Sequence, residues 1–403
     1  MALVNDYISS MSIHRVCLWY WGAVLGGAVT AFCQTSLTSL EPPPTEIRGV
    51  WITNTDAKIL LSRSNIRAAM ELLEDHHFNV VFPVVWCNGA TMFPSETMDG
   101  IFGDGIEPRL DNRDPLAELI EEAHAHRIAV VPWFEYGFCC SLNAKGGHIL
   151  KAKPAWGEQD AAGNLLTQNG YDWMSPFNTE VQSFMIELVM EVVDRYKIDG
   201  IQEDGRMLAL PIEGGYSPVT RASYAKEHDG AQPPGNCRDS AWIVWRAEKL
   251  RKFASNLCTM IRSRKPKMLI SWTPLLLPHP PGDLIEEWAK WTRNGDVDLM
   301  VPRILTRDIP SYELALASPL ADISRAAPKQ AFVVPGVLLN TDSGAISTSD
   351  LEQVISGNRR NGYKGEVFFS FEGLTKNGNE LARMLKERFY TSRASFPFLI
   401  NNW

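Results

Sequence analysis

Acidic side chains end several short apolar segments of this chain. Glu135 ends one segment, Glu203 and Asp204 end a second, and Glu372 follows a third. Paired carboxyl groups cleave glycosidic bonds, one as proton donor and the other as nucleophile or as base for water. No His or Lys ends such a segment, and no His-x-His or His-Glu-x-x-His pattern occurs, which disfavours zinc hydrolysis and Schiff-base chemistry. The four acids are therefore the candidate catalytic residues, and we expect no metal and no cofactor.

Polar and aromatic residues near the same segment ends are candidates for substrate binding. Sugar faces stack on indole rings, and the chain has 13 Trp, although core packing is the alternative for each of them. A carboxylate can instead be held in an ion pair, for which Arg206 and Arg303 are the available neighbours. The candidate substrate-binding residues are Asn54, Asp56, Trp86, Asn88, Trp133, Trp173, Gln202, Trp272 and Arg303.

Eight apolar segments alternate with longer helical patterns from Glu46 onward. Most are continuous apolar runs, which are typical of parallel strands buried on both faces. We predict strands at Ile47–Thr53, Asn79–Trp86, Ala129–Tyr136, Gly200–Asp204, Met268–Thr273, Leu299–Leu305, Ala331–Leu339 and Glu366–Phe371. Between them, apolar residues recur three and four positions apart, and Pro115 after Asp114 is typical of a helix start. This pattern predicts an α/β fold, a (β/α)8 TIM barrel, with an open doubly wound sheet as the alternative.

A barrel would bring the segment ends together. The carboxyl ends of barrel strands meet at one face, where the following loops build the active site. Two long loops, 137–178 and 205–239, follow the third and fourth strands and carry several aromatic residues. The first strand–helix turn, TNTDAKILLSRS, has no Gly-rich pattern, so a dinucleotide ligand is not expected.

The N-terminal part differs in composition from the rest of the chain. Residues 16–33 read VCLWYWGAVLGGAVTAFC without a charge, directly after His14 and Arg15, and residues 35–45 end in a Pro run. We predict a signal peptide or membrane anchor at 1–34, a linker at 35–45, the barrel at 46–393 and a tail at 394–403; a buried core helix is the alternative for the apolar run. The expected location is the periplasm or cell envelope, with membrane contact through the N-terminal segment if it is not cleaved. The net charge of −8, without a long basic run, argues against nucleic acid as a partner.

Five stretches resemble the family-10-like glycosyl hydrolases, bacterial envelope barrels of which some are implicated in cutting peptidoglycan glycan strands. The stretches are IRGVWIT (47–53), VVWCNGATMFPS (84–95), DPLAELIEEAHAHRIAVVPWFEYGF (114–138), DRYKIDGIQED (194–204) and GEVFFSFEGL (365–374). The resemblance extends over most of residues 46–393, with these stretches in the same order, and the cyanobacterial branch is the most similar. The resemblance implies a TIM barrel with glycosidase activity on a polysaccharide.

Several site positions depart from the pattern of that family. Relatives end strand 4 with a sequence like DGIQFDD, whereas this chain reads DGIQEDGRM. The resemblance makes Asp204 the leading catalytic candidate, while Gly205 replaces the second Asp and Glu203 replaces an apolar residue. The Ser-Pro-Asn-Pro that follows strand 5 in relatives is TPLLLP (273–278) here. On strand 6, Arg303 and Leu305 stand where relatives have Gln and Tyr.

Two of these departures change the chemistry expected at the site. Glu203 is one residue out of phase with Asp204, so on a regular strand it faces the opposite side. An ion pair between Arg303 and Asp204 would keep this carboxylate ionised, which favours a nucleophile. Glu135 or Glu372 would then supply the proton.

The residues leave three functions open. The first is an exported glycoside hydrolase that acts on a polysaccharide. The second is a catalytically degenerate barrel that binds glycan or scaffolds an envelope complex, which the departures from the family pattern favour. The third is a barrel enzyme of another class, for which no phosphate, metal or Schiff-base signature is found.

Overall fold

The structure of this protein is a computed structural model. It describes residues 43–54, 58–110, 112–277, 284–285, 296–306, 308–326, 332–341 and 344–398. These residues lie within one compact unit, Pro43–Trp403. The predicted signal or anchor at 1–34, most of the predicted linker, and Asp56 lie outside the described residues, and so do positions 399–403 of the predicted tail.

Eight parallel strands form the centre of the molecule. They are β1 (Ile47–Ile52), β2 (Val80–Pro83), β3 (Ala129–Val130 and Trp133–Phe134), β4 (Gly200–Asp204), β5 (Leu269–Thr273), β6 (Leu299–Met300 and Arg303–Ile304), β7 (Phe332–Val333 and Gly336–Leu338) and β8 (Gly365–Phe369). Each strand pairs in parallel with the next, and β8 pairs with β1. The pairings therefore run in a ring, in the order predicted from the sequence.

Helices follow seven of the eight strands in the described part of the chain. They are α1 (Arg63–Asp75), α2 (Glu96–Phe102), α3 (Pro115–Ala125), α4 (Gly147–Ala152), α5 (Thr179–Arg195), α6 (Gly205–Leu208), α7 (Pro218–Glu227), α8 (Ser240–Arg264), α9 (Ile309–Ala315), α10 (Ala321–Ala326), α11 (Thr348–Arg360) and α12 (Phe371–Arg388). The last helix is interrupted by non-helical residues 376–379. No helix within the described residues is both long enough and apolar enough to cross a membrane.

The predicted helix start at Pro115 is confirmed. The Asp114 carboxylate accepts a hydrogen bond from the Ala117 backbone N–H at 3.0 Å, and Pro115 occupies the first helical position. Such a cap provides an acceptor for an N–H that has no partner within the helix. The ring of Pro fixes its φ angle near the helical value, which suits the first turn.

The strand register divides β3, β4 and β5 into an inner and an outer face. Gln202 lies between Trp133 and Ser271, whereas Glu203 lies between Phe134 and Trp272. Neighbouring residues in parallel strands point to the same face, and successive residues point to opposite faces. The inner face is the one that carries Gln202, because the Trp51 indole of β1 donates a hydrogen bond to its amide oxygen at 2.6 Å across the barrel.

Aromatic rings fill the barrel interior beneath the carboxyl ends of the strands. The Trp51 ring lies 6.0 Å from Trp133 and 6.0 Å from Phe369, centroid to centroid, and 5.8 Å from Phe82. Both indoles have no exposed surface. This aromatic layer fills the barrel just below the face at the carboxyl ends of the strands, which we call the mouth. Polar side chains at the strand ends therefore lie on top of an apolar layer.

The two long loops are structured and are joined to each other. The loop after β3 contains a three-stranded antiparallel sheet of Cys139–Leu142, Thr167–Gln168 and Tyr171–Trp173. Glu158 of this loop is fully buried and accepts hydrogen bonds from the Ser175 hydroxyl at 2.7 Å and from the Ser217 N–H of the loop after β4 at 2.9 Å. A buried carboxylate requires such partners, so this contact fixes one loop against the other.

The first described residues of the predicted tail pack on the barrel. The Ser395 N–H donates to the Pro44 carbonyl at 2.8 Å, and Phe396 is buried. Residues 394–398 therefore continue the folded unit beyond 393, the last residue predicted for the barrel.

Gly365 provides a test of the junction between β8 and β1. Its φ is +120°, and a Cβ there would lie 1.9 Å from the Ile47 carbonyl oxygen. We expect Gly365→Ala to lower the free energy of unfolding by about 2–5 kcal/mol, from backbone strain plus overpacking. Urea titration followed by circular dichroism measures this change.

Gly362→Ala is the matched control for this substitution. Gly362 also has a positive φ of +80°, but a Cβ there meets nothing within 4 Å. We therefore expect Gly362→Ala to lower the free energy of unfolding by about 1–2 kcal/mol, from backbone strain alone. Equal losses in the two variants would contradict the close contact between β8 and β1.

Candidate active site

Asp204 lies at the carboxyl end of β4 between two guanidinium groups. Its Oδ2 accepts from Arg303 Nη2 at 2.7 Å, and its Oδ1 accepts from Arg206 Nη1 at 3.1 Å. The same Oδ1 accepts from the Arg206 backbone N–H at 3.0 Å, which caps the short helix α6. Asp204 has no exposed surface, and Arg303 is 4% exposed. Charges buried to this extent are stable only when they are paired.

The predicted ion pair between Arg303 and Asp204 is confirmed. Arg303 stands on β6, two strands away from β4 in the ring, so its side chain reaches across the mouth of the barrel. The guanidinium carbon lies 5.4 Å from the centroid of the Trp133 ring, in the range of a cation–π contact. Arg303 Nε has no hydrogen-bond partner within the described part of the chain.

Glu135 follows β3 and is half-buried beside this cluster. Burial raises the pKa of its carboxyl group, and the neighbouring Asp204 raises it further, whereas Arg206 and Arg303 lower it. The net shift is upward. A carboxyl group with a raised pKa keeps its proton to higher pH, which is what a general acid requires. Glu135 and Asp204 therefore lie in two different environments: burial favours the protonated form of Glu135, whereas Asp204 is paired with two guanidinium groups.

Glu372 lies in the first turn of α12, directly after β8. It is half-buried and accepts a hydrogen bond from the Ser370 hydroxyl. This position is at the carboxyl end of the barrel, as predicted from the sequence.

Glu203 is not part of the cluster. It lies on the outer face of β4, fully buried, and its two oxygens have no hydrogen-bond partner among the described residues. Burial raises its pKa to about 8, with an additional contribution from Asp296. The prediction that Glu203 is catalytic is therefore wrong in this structure, because β4 is regular through Asp204 and alternation turns Glu203 towards the helices.

The four predicted indole platforms are packing residues. Trp86, Trp133 and Trp272 have no exposed surface, and Trp173 is 3% exposed, so none offers a ring face to a sugar. Trp272 lies beside Glu203 on the outer face, and Trp133 lies beneath Arg303 on the inner face. Trp86 donates its indole N–H to the Gly137 carbonyl at 3.0 Å. The apolar strands bury both of their faces, which leaves their aromatic residues inside.

The predicted polar residues Gln202, Asn54 and Asn88 do not lie together: one is inside the barrel, one is at a strand end and one is on an exposed turn. Gln202 is buried inside the barrel, where it accepts from Trp51 and donates to the Ser271 hydroxyl at 3.0 Å. Asn54 follows β1 at the mouth and accepts from Arg109 at 3.2 Å. Asn88 is exposed in a tight turn and accepts from the Leu142 N–H at 3.0 Å, so it connects two loops.

Three residues of the cluster were not among the candidates from the sequence. Arg206 was considered only as an ion-pair partner, although its position two residues after Asp204 is a usable signal. The centroid of the Tyr171 ring lies 4.0 Å from the Arg206 guanidinium carbon, and the Cys87 thiol lies near enough to Glu135 to influence its pKa. Tyr171 is one of the aromatic residues of the two long loops, but no sequence pattern distinguishes it from the others or marks Cys87. Among the described residues there is no group of three or more His, Cys, Asp or Glu that could hold a metal ion.

Comparisons with known proteins agree with this architecture. A family model described as glycosyl hydrolase-like 10 matches residues 46–330, more than half of the chain. Glycosyl hydrolase DigH of Escherichia coli K12 is 23% identical over 321 residues, covering 72% of this chain and 68% of DigH. Glycosyl hydrolase YngK of Bacillus subtilis 168 is 22% identical over 393 residues, covering 87% of this chain and 73% of YngK.

Solved structures of carbohydrate-active enzymes share the fold. The glycoside hydrolase domain of PgaB (BpsB) from Bordetella bronchiseptica aligns with a TM-score of 0.61 and 14% identity, over 85% of this chain and 99% of that domain. The catalytic domain of β-amylase from Paenibacillus polymyxa aligns with a TM-score of 0.60 and 10% identity, over 87% of this chain and 99% of that domain. At these identities the similarity is one of fold, and it supports the TIM barrel.

The buried Glu203 predicts a specific dependence of stability on pH. Its pKa is 4.5 without perturbation and about 8 in the folded protein. As pH rises from 4.5 to 8, the unfolded chain releases this proton while the folded protein retains it, so stability falls through this window. We expect the wild type to lose about 2–3 kcal/mol more than Glu203→Gln between pH 5.5 and 7.5, measured by urea unfolding.

The exposed Glu71→Gln on α1 is the matched control and should keep the wild-type slope. A Glu203→Gln variant with the same slope as the wild type would show that Glu203 is not titrating in a buried environment.

Proposed function

This chain belongs to the glycosyl hydrolase-like 10 family, and we propose that it is an exported glycoside hydrolase that cleaves a polysaccharide, with peptidoglycan glycan strands as the first candidate. One observation carries the proposal: a half-buried glutamic acid with a raised pKa lies beside an aspartate whose two oxygens accept hydrogen bonds from two arginines. Glycoside hydrolysis needs such a division between a protonated and an ionised carboxyl group.

The proposed roles follow from the environment of each group. Glu135 donates its proton to the leaving glycosidic oxygen, since burial favours its neutral form. Asp204 provides the negative charge that stabilises an oxocarbenium-like transition state. A water molecule then bonds to the anomeric carbon and gives its proton to the Glu135 carboxylate, which restores the acid. Arginines on either side of Asp204 donate hydrogen bonds to its two oxygens.

Glycan is the substrate class that the relatives support. DigH and YngK are named glycosyl hydrolases, and the structural neighbours with TM-scores of about 0.6 are a glycoside hydrolase domain and a β-amylase. Export is proposed from the uncharged apolar run at 16–33 and the basic residues before it.

A second candidate function is a barrel that binds glycan without cleaving it. It is favoured by the state of Asp204, which has no exposed surface and whose two oxygens both accept hydrogen bonds from arginine. A carboxylate in this state is not free to attack an anomeric carbon or to accept a proton from an attacking water molecule. Binding and cleavage assays on the same glycans separate the two functions.

Substitution of Glu135 tests the hydrolase directly. We expect the purified full chain to release reducing ends from peptidoglycan glycan strands and Glu135→Gln to lower kcat by about 10²–10⁴-fold. Because the neutral acid is the active form, wild-type kcat should fall as pH rises through the raised pKa of Glu135. Asp204→Asn should also remove cleavage, and Glu71→Gln should keep it.

Glycan binding measured by calorimetry completes this test. Binding without cleavage by the wild type would identify the second function and reject the first. Cleavage that survives Glu135→Gln would reject Glu135 as the acid while leaving the enzyme class intact.

A further inference from the structure

The Arg206 side chain connects the ends of β3 and β4. Its Nη1 donates to the Glu135 main-chain carbonyl at 3.0 Å and to Asp204 Oδ1 at 3.1 Å. One nitrogen atom therefore contacts both residues that carry the candidate carboxyl groups. Burial alone would lower the pKa of Arg206, but Asp204 and Tyr171 raise it overall, so the guanidinium stays charged.

The Arg206 backbone is held by the loop that follows β3. The Phe138 N–H donates to the Arg206 carbonyl at 3.1 Å. At Gly137, φ is +51° and a Cβ would lie 2.3 Å from the Met207 nitrogen and 2.4 Å from the Arg206 carbonyl carbon. The two chain segments thus pack backbone against backbone, at a distance that only glycine permits.

A tyrosine ring restrains the guanidinium group from the side. Tyr171 lies 4.0 Å from the Arg206 guanidinium carbon, and the Tyr136 ring packs edge-on against Tyr171 at 5.3 Å between centroids. A planar guanidinium can stack on a ring while its N–H groups point in fixed directions, which an ammonium group cannot do.

We propose that Arg206 is the positioning residue of this site, and that it sets the position of Glu135 relative to Asp204 through one shared nitrogen. The proposal rests on the proposed function in that it assigns these two carboxyl groups to the reaction. Arg303 has a different role. It donates a hydrogen bond to Asp204 from across the barrel, but among the described residues it makes no hydrogen bond to Glu135.

Other ionisable groups also face Glu135, and the Arg206 variants described below leave all of these residues unchanged. They are Asp204, Arg303, Cys87, Tyr136 and Tyr171. Changes seen in Arg206 variants therefore report the contribution of the guanidinium itself.

The test compares Arg206→Lys with Arg206→Gln in the full chain, using hydrolysis of glycan strands. Lys keeps the charge but cannot bind two acceptors and stack at once. We expect Arg206→Lys to lower kcat about 10–100-fold with KM within about twofold, since small displacements of catalytic groups cost this much. The alkaline limb of the pH profile should stay in place for Arg206→Lys and move to higher pH for Arg206→Gln, which loses a cation beside Glu135.

Arg221→Lys is the matched control. Arg221 also lies over a tyrosine ring, Tyr216, at 5.1 Å, and donates to main-chain carbonyls of the same loops, but it contacts neither carboxyl group. Wild-type kcat in Arg206→Lys, or an equal loss in Arg221→Lys, would overturn the proposal, because the effect would then be absent or common to any loop arginine.

Titration without substrate keeps this test independent of hydrolysis. The ¹³C carboxyl signal of Glu135, assigned by its loss in Glu135→Gln, is followed against pH in the wild type and both Arg206 variants. A higher midpoint in Arg206→Gln, with the wild-type midpoint in Arg206→Lys, supports the proposal even if no glycan is cleaved. Unchanged midpoints in both variants would overturn it, even if the wild type hydrolyses glycan.

Discussion

The burial of charge at the barrel mouth is the constraint on which the site depends. Asp204 has no exposed surface, and two guanidinium groups lie against it. Replacing Asp204 by an uncharged residue would leave the buried Arg303 cation without this carboxylate, at a cost of about 3–5 kcal/mol. The strand ends, the aromatic layer and the loop after β3 must therefore be placed so that Arg206 and Arg303 both reach one carboxylate.

The opposite end of the barrel carries a charged network of its own. Glu366 at the start of β8 is fully buried and accepts from Arg359 at 3.0 and 3.1 Å and from Asn358 at 3.2 Å. This carboxylate is fully enclosed by partners of α11 and the C-terminal segment, as expected of residues that stabilise the fold. At the mouth, by contrast, Glu135 is partly exposed beside the paired charges. The difference in access separates a structural acid from a candidate catalytic one.

The register of β4 decides which acids can act together. Glu203 and Asp204 are adjacent in sequence, yet one faces the helices and the other the mouth. Glu135 reaches Asp204 because β3 and β4 are neighbours and because Arg206 contacts both residues. Family membership supports a glycosidase. The pairing of Asp204 with two arginines comes from the structure.

The sequence by itself determined the barrel, the order of its strands and the short list of acids at their ends. Continuous apolar runs and helical periodicity depend on local residue patterns, so they can be recognised without tertiary contacts. The opposite orientation of Glu203 and the pairing of Arg303 with Asp204 also followed from alternation and strand position. The tertiary structure alone decided that the four indoles are buried, that Tyr171 and Cys87 reach the site, and that one Arg206 nitrogen contacts two strands. These features depend on how distant loops pack, and no local pattern in the chain encodes that packing.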